Sequence, residues 1–444
     1  MENLLNQIAV RIYDTIGLLP VGAMHGKPGD YAIRETILTP FLFVVKIDPM
    51  QQSSKTFLSD KLADDIKLVS KLDKSESVVI DVNKGFVSIQ IPLPASERGK
   101  TVYTSANVPR GNGLRVPLGL DTFNEPVYFN FENQTDTNLS FLGVPGSGKS
   151  VSMRRSIVTL ARNNQPNDVK FLMIEVSKDA LDLRIFSNLP HLVHRVIVDP
   201  VEACQALAWA VNQIKNGKLP YKLIVCVDEV AELIRQQPDT VPMLMTLISQ
   251  GRAVNVVNML ATQITDKSTL GDGKAIFRQI HSTILGKVSN KQLSYVMGNR
   301  AELKAEALTG MGDLMLNSND VTTRFAGVFT TKSDLERLPQ TESIPSLPIA
   351  DYSNTEAIVS DLDSKFESQP VPLDIVSEGL ISLQKQMDNR EYRQAMQGKA
   401  SYVLPASQVK ALGRNYLTFR DKDQPYITEL YKSLWKRGIR LCKR

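Results

Sequence analysis

The sequence predicts an α/β protein with a central, mostly parallel sheet, a small α+β unit before it, and an acidic linker and basic tail after it. Three observations carry that expectation. Between about 136 and 330 six strand-length apolar runs, "NLSFLGV", "VKFLMIEV", "HRVIVDP", "KLIVCVDE", "VVNMLATQ" and "STILGKV", alternate with amphipathic stretches. Runs without polar alternation belong to strands covered on both faces, the mark of a parallel sheet flanked by helices. The first run opens into the glycine-rich turn "GVPGSGKS", and the fourth ends in the acidic pair Asp228-Glu229.

The unit over 1–135 precedes that pattern. "LTPFLFVVKI", "SVVIDV" and "FVSIQIPL" read as strands, the last two joined by a turn at Asn83-Lys84-Gly85. Between them, "SDKLADDIKLVSKL" spaces Leu62, Ile66, Leu68 and Leu72 along one helical face. The Gly/Pro-punctuated "VPRGNGLRVPLG" then leads to the sheet domain, 136–330.

After 330 the character changes. Residues 331–380 carry 3 basic and 10 acidic side chains, and residues 381–444 carry 14 and 5. A proline-bearing acidic linker followed by a basic C-terminal tail or small helical module suits a tethered segment with a polyanionic or acidic partner, although an ordinary solvated surface has the same composition. Hydrophobic residues at 42% and charged residues at 22% place the chain among globular proteins. No apolar run approaches the ~18 residues of a membrane span. The start "MENLLNQIAVRIYD" has no cleavage pattern of a signal peptide. Cys204, Cys226 and Cys442 show no paired spacing, which fits a reducing, cytoplasmic setting. His191 and His194 have a metal-compatible offset but no cysteine or carboxylate cluster beside them, so the pair reads as structural.

The chemistry-bearing residues begin at the glycine-rich turn. Gly143, Gly146, Ser147, Gly148, Lys149, Ser150 and Val151 form a phosphate loop, with a strand before it and a helix after it. The glycines let backbone N–H groups face a triphosphate, Lys149 reaches its β- and γ-phosphates, and the Ser150 hydroxyl ligates Mg²⁺. A second strand must then deliver carboxylates. Asp228 suits the shell of the magnesium, and Glu229 is placed to orient and deprotonate water, the work of a hydrolase. Thr262 and Gln263 end a further strand, where a polar pair can sense the γ-phosphate. Arg252 precedes that strand and is not easily placed beside its own phosphate loop. It reads either as plain surface or as a finger that completes a neighbour's site.

In this order the segments resemble the FtsK/SpoIIIE family of DNA translocases. The resemblance rests on "KFLMIEVSKDALDLRIFSNLPHL", "IVCVDEVAEL", "SQGRAVNVVNMLATQ" and "LTGMGDLMLNS…VTTRFAGVF". It covers about 138–330 strongly and 37–135 more faintly, where that family carries a small α-domain. The resemblance implies a RecA-like P-loop ATPase that uses ATP and Mg²⁺, assembles as a homohexameric ring and passes double-stranded DNA through its centre. By position, Lys149, Ser150, Asp228 and Glu229 match the nucleotide site, Arg252 the trans-acting arginine and Gln263 the end of the sensor strand. The family's pore loops fall on "ITDKSTLGDGKAIFRQ", with Lys267, Lys274 and Arg278, and on "VSNKQLS", with Lys291. Scattered positive charge is what gripping phosphates of any sequence requires.

The chain departs from the family's cell-division members, which carry membrane spans and a winged-helix module. The expectation is therefore a compact member serving transfer, segregation or packaging of plasmid, mobile-element or viral DNA. Two other readings stay open: a motor for polypeptide, and an ATP-switched recruitment or coupling protein for a relaxase, replication or packaging complex docked by the basic tail.

Overall fold

A computed structural model describes residues 32–48, 60–70, 72–73, 76–83, 85–133, 137–176, 182–263, 270, 273–297, 305–319, 321–352, 402–404 and 439–441. The chain divides into two compact units, Met1–Val359 and Ser360–Arg444.

The first unit begins with a four-stranded antiparallel sheet: β1 (Ala32–Leu38), β2 (Leu42–Asp48), β3 (Val79–Asn83) and β4 (Phe86–Pro92), ordered β1-β2-β4-β3. Helix α1 (Asp60–Val69) covers it, placing Ile66 in one core with Val45, Ile47, Val87 and Ile89. The apolar face of α1 differs from the expected one. It runs through Ala63 and Ile66, with Leu72 packing beyond the helix end, whereas Leu68 is 79% exposed. Two residues of helix turn a side chain by about 200°, so Ile66 and Leu68 cannot share a face.

A nine-stranded sheet follows, in the order β6-β5-β13-β12-β11-β7-β10-β9-β8. Its parallel half consists of β7 (Leu139–Gly143), β8 (Val169–Glu175), β9 (Lys222–Asp228), β10 (Val256–Gln263) and β11 (Ser282–Leu285). Five of the six apolar runs become these strands, and they are buried almost throughout. The exception is "HRVIVDP", which touches the edge strand β8 only through single bridges such as Ile197 to Ile174.

The antiparallel half consists of β12 (Asp313–Ser318), β13 (Val321–Gly327), β5 (Arg115–Asp121) and β6 (Pro126–Asn130). Short hairpin connections join β5 to β6 and β12 to β13, and such connections allow only antiparallel pairing. Residues 115–130 precede position 136, yet they belong to the same sheet as the phosphate loop. The small sheet is also joined to the large one. Arg324 of β13 forms a bidentate pair with Asp313 of β12, at 2.7 and 2.9 Å, and donates through Nη1 to Gln90 Oε1 of β4 at 3.2 Å.

Helices α2 (Lys149–Asn163), α3 (Pro200–Asn216), α4 (Val230–Gln236), α5 (Thr240–Gln250), α6 (Lys274–Gln279) and α7 (Asn290–Met297) connect the parallel strands and their flanks. Asp199 caps α3 by accepting from the Glu202 amide, with Pro200 at the first helical position.

The start of the acidic segment is an ordered strap. Thr331 and Asp334 form a capping box for α8 (Lys332–Glu336), and Leu335, Leu338 and Ile344 pack on the main core. The Leu347 amide donates to His194 Nδ1, and Asn212 donates to the Tyr352 hydroxyl. The rest of that segment, 353–380, lies outside the described residues. In the second unit, β14 (Tyr402–Leu404) and β15 (Ile439–Leu441) pair in parallel. No helix among the described residues is long and apolar enough to cross a membrane.

Candidate functional site

The phosphate loop springs from the central strand β7 and ends in α2. Gly146 and Gly148 have φ of 74° and 104°, values that favour glycine, and a Cβ on Gly148 would lie 2.8 Å from the Gly312 amide nitrogen. No side chain caps α2, and its first intrahelical bond runs from Ser152 N to Gly148 O. The N–H groups of Lys149, Ser150 and Val151 therefore have no acceptor within the helix and are free to meet an anion. Lys149 is buried and donates to Val144 O at 3.2 Å, while the buried Ser147 hydroxyl has no partner. Burial lowers the Lys149 ammonium, opposed by the nearby carboxylates of Glu229, Asp228 and Asp182.

The acidic pair comes from β9, which is not adjacent to β7. Strand β10 lies between them and sets the register, with Gln263 opposite Gly143. Glu229 sits in the left-handed region at φ 57°, strained for a non-glycine residue. Its Oε1 accepts from the Thr262 hydroxyl at 2.9 Å and from the Gln263 amide at 3.1 Å. Burial raises the Glu229 carboxyl and the bonds from Gln263 and Thr262 lower it, so the group is a stronger base than an ordinary glutamate while remaining held. Asp228 is pushed up to about 7 by burial and by the neighbouring carboxylates of Asp182, Glu229 and Glu175.

Glu175 and Asp182 were not legible as site residues. Glu175 ends β8 directly opposite Asp228, is fully buried, and accepts from the amides of Asp182 and Leu183. Asp182 pairs with Arg154 at 3.5 Å and lines the same cavity as Lys149. Nothing in their spacing showed this, because the β8–β9 register alone brings 175 beside 228.

The cavity beside the loop has a volume of about 400 Å³. Its lining is polar at Gly146, Gly148, Lys149, Ser150, Asp182 and Gln263, and apolar at Phe41, Val102, Tyr103, Met311 and Phe329. Val102, Met311 and Phe329 are among the few large apolar side chains left exposed, and all three line this cavity. Phosphate-binding groups and an apolar slot within one cavity are what a nucleotide needs. The residues also fit Mg²⁺: the Ser150 hydroxyl stands beside Lys149 in the loop, and Asp228 is a buried carboxylate crowded by like charge, which a divalent cation would relieve.

The "GMGD" turn proves part of this site. Gly310, Met311 and Gly312 all have positive φ, and the amides of Met311 and Gly312 donate to the carbonyls of Gly146 and Ser147 at 3.2 and 3.1 Å.

The other candidate residues lie elsewhere. Arg252 is exposed in a short 3₁₀ turn at the opposite edge of the sheet, before β10, whereas Gln263 ends that strand. Eight residues of strand separate the two edges by about 25 Å, so Arg252 cannot reach its own phosphate loop. Lys274 opens α6, and Arg278, exposed on that helix, donates through Nε to Val296 O of α7 at 3.1 Å. Lys291 belongs to α7, and Lys267 lies outside the described residues. His191 and His194 are engaged separately: His191 Nε2 with Asn164 O, and His194 Nε2 with Glu202.

The chain is similar to known proteins. Residues 102–219 match the FtsK/SpoIIIE family. The chain is 27% identical over 311 residues to DNA translocase SftA of Bacillus subtilis, covering 62% of this chain and 32% of that one. It is 28% identical over 319 residues to DNA translocase FtsK of Clostridium acetobutylicum, covering 62% and 40%. The chain thus spans about a third to two fifths of the length of these curated relatives. The solved pCW3 conjugation coupling protein TcpA, in its monomer form with ATPγS, is similar at 16% identity and a TM-score of 0.43, covering 74% of this chain and 96% of that one, a likeness too slight to argue from. The segment matched to the FtsK/SpoIIIE family, 102–219, contains the glycine-rich loop and the helix that follows it.

Proposed function

We propose that the protein is an ATP-hydrolysing motor that moves double-stranded DNA as a ring of identical subunits, a hexamer by analogy with the translocases it resembles. The observation that carries the reading is the separation of Arg252 from its own phosphate loop. Every other hydrolytic group gathers at one edge of the sheet, and the arginine stands at the other. A ring that sets one subunit's Arg252 edge against the next subunit's phosphate edge completes each site.

In this mechanism the loop amides and Lys149 hold the β- and γ-phosphates, and the apolar slot takes the base. Ser150 and Asp228 hold Mg²⁺, which when bound offsets the charge on the phosphate oxygens. Glu229, fixed on one oxygen by Thr262 and Gln263, orients a water and takes its proton. Gln263 adjoins both Gly143 and Glu229, so loss of the γ-phosphate can pass from the end of β10 into the following segment, which holds Lys267, Lys274, Arg278 and Lys291. These cations are the proposed grip on DNA phosphates. The mobile DNA served would be that of a plasmid, mobile element or virus, in transfer, segregation or packaging, with the basic tail as a docking site for a protein partner.

Duplex-stimulated ATP hydrolysis, together with ATP-dependent displacement of a third strand from duplex, tests the reading. Displacement without strand separation is the expected result. Hydrolysis indifferent to any DNA but stimulated by a polypeptide would replace it with a protein motor.

A further inference from the structure

A second cleft lies on the far half of α2, away from the phosphate loop. Arg155 and Arg162 stand seven residues apart, two turns of one helix face, with about 9 and 20 Å of helix rise separating them from Lys149. Arg110, from the glycine-punctuated segment, and Arg337, just past α8, line the same cavity of about 400 Å³. Asp334 is the one acidic side chain among its lining residues.

That carboxylate is already saturated. Its Oδ1 accepts from the Ser105 hydroxyl and from Arg162 Nη1 at 3.2 Å, and its Oδ2 accepts from the Thr331 amide and hydroxyl at 3.0 and 2.8 Å. Ser105 in turn accepts from Arg155 Nη1 at 3.0 Å. Arg155 is only 5% exposed, and its Nε has no partner at all. Burial lowers its guanidinium, partly offset by Asp334 and reinforced by the repulsion of Arg162. Arg110 and Arg337 form no ion pair among the described residues, and both are exposed on the rim. Four guanidinium groups thus converge against one carboxylate with no capacity left. An excess of positive charge around the buried Arg155 suits an anion that brings several negative oxygens. Guanidinium forks suit the oxygens of phosphate, which they bind in pairs. A single carboxylate would neutralise one arginine and leave most of the cleft empty.

We propose that the Arg110–Arg155–Arg162–Arg337 cleft is a second phosphate-binding site, independent of the nucleotide site, taking a phosphate ester either from a nucleic-acid backbone or from a free phosphorylated ligand. The test uses the full chain carrying Lys149→Ala, which silences the phosphate loop, titrated calorimetrically with pyrophosphate. Saturable binding is expected, weakened at least tenfold by Arg110→Glu with Arg337→Glu, rim positions whose substitution leaves the core intact. No saturable binding, or an unchanged affinity in the double variant, overturns the proposal. Arg155→Met separates a ligand site from a structural one: removing an unpaired buried charge should hold or raise the melting temperature while abolishing pyrophosphate binding. A lowered melting temperature with pyrophosphate binding retained would assign Arg155 to the fold alone and likewise overturn it. A short duplex distinguishes the sources. Its affinity falls alongside that for pyrophosphate if the backbone phosphate is the ligand, and stays constant if a free phosphate is.

Discussion

The Thr262 hydroxyl holds Glu229 by one oxygen, donating to Oε1 at 2.9 Å, and the neighbouring Gln263 amide reaches the same atom at 3.1 Å. Two donors on Oε1 orient the carboxylate and involve only one of its two oxygens. Strand β10 can do this because it is inserted between the phosphate-loop strand and the acidic strand. The orientation of the base therefore depends on the strand that would report the state of the nucleotide.

Thr262→Val keeps the shape and removes the donor. A hydrogen bond to a charged group contributes roughly 1.5–3 kcal/mol, so the turnover number for ATP should fall about tenfold to a hundredfold with little change in KM. Glu229→Gln should lose turnover altogether and still bind nucleotide, and Lys149→Ala should lose binding. Steady-state kinetics and nucleotide titration separate the three. A Thr262→Val enzyme at full rate would remove the positioning role.

Arg252→Ala should abolish hydrolysis and spare nucleotide binding. Mixing that variant with Lys149→Ala should restore part of the activity, because each intact phosphate loop can then meet an intact arginine from its neighbour. Full activity of Arg252→Ala alone would show that the arginine is surface, and no recovery on mixing would remove its role in a neighbour's site.

Arg324 and Asp313 are both nearly buried and bonded at two points, and Arg324 also reaches Gln90 across the two sheets. Removing one partner strands the other charge. Arg324→Ala should cost about 3–5 kcal/mol in denaturant unfolding. Replacing both partners with apolar residues of similar volume should cost less.

His191 is fully buried, donates through Nε2 to Asn164 O at 2.9 Å, and has no partner at Nδ1. Burial lowers its pKa from 6.5, with the positive charge of Lys170 acting in the same direction and the Asn164 bond opposing. The folded state thus takes up its proton later than the unfolded chain does. Its contribution is complete above pH 6.5 and is lost as pH falls through the lowered folded value. The urea midpoint should drop between pH 7.5 and 5.5, and His191→Gln should flatten that dependence.

The parts legible in the sequence were those carried by local pattern. Unbroken apolar runs marked β7 to β11, and the glycine spacing with its flanks marked the phosphate loop. Features set by register were invisible. Glu175 becomes a neighbour of Asp228 only because β8 pairs with β9 residue for residue. The "HRVIVDP" run had strand composition but makes only bridges beside β8, so composition overstated it. The strap after 330 was hidden by its acidity and prolines, although Thr331 and Asp334 stand at capping-box spacing. Leu68 failed for a simpler reason, an apolar residue on the wrong side of the turn.

The turn Gly310–Gly312 holds two carbonyls of the phosphate loop from about 160 residues away along the chain. Part of the loop's shape is thereby set when the protein folds, before any ligand arrives, and the ordering entropy of those residues is charged to folding and not to binding. Nucleotide affinity then becomes a reporter of the integrity of the closing hairpin. A substitution that loosens β12 or β13 would surface first as weaker ATP binding, in residues that never touch ATP.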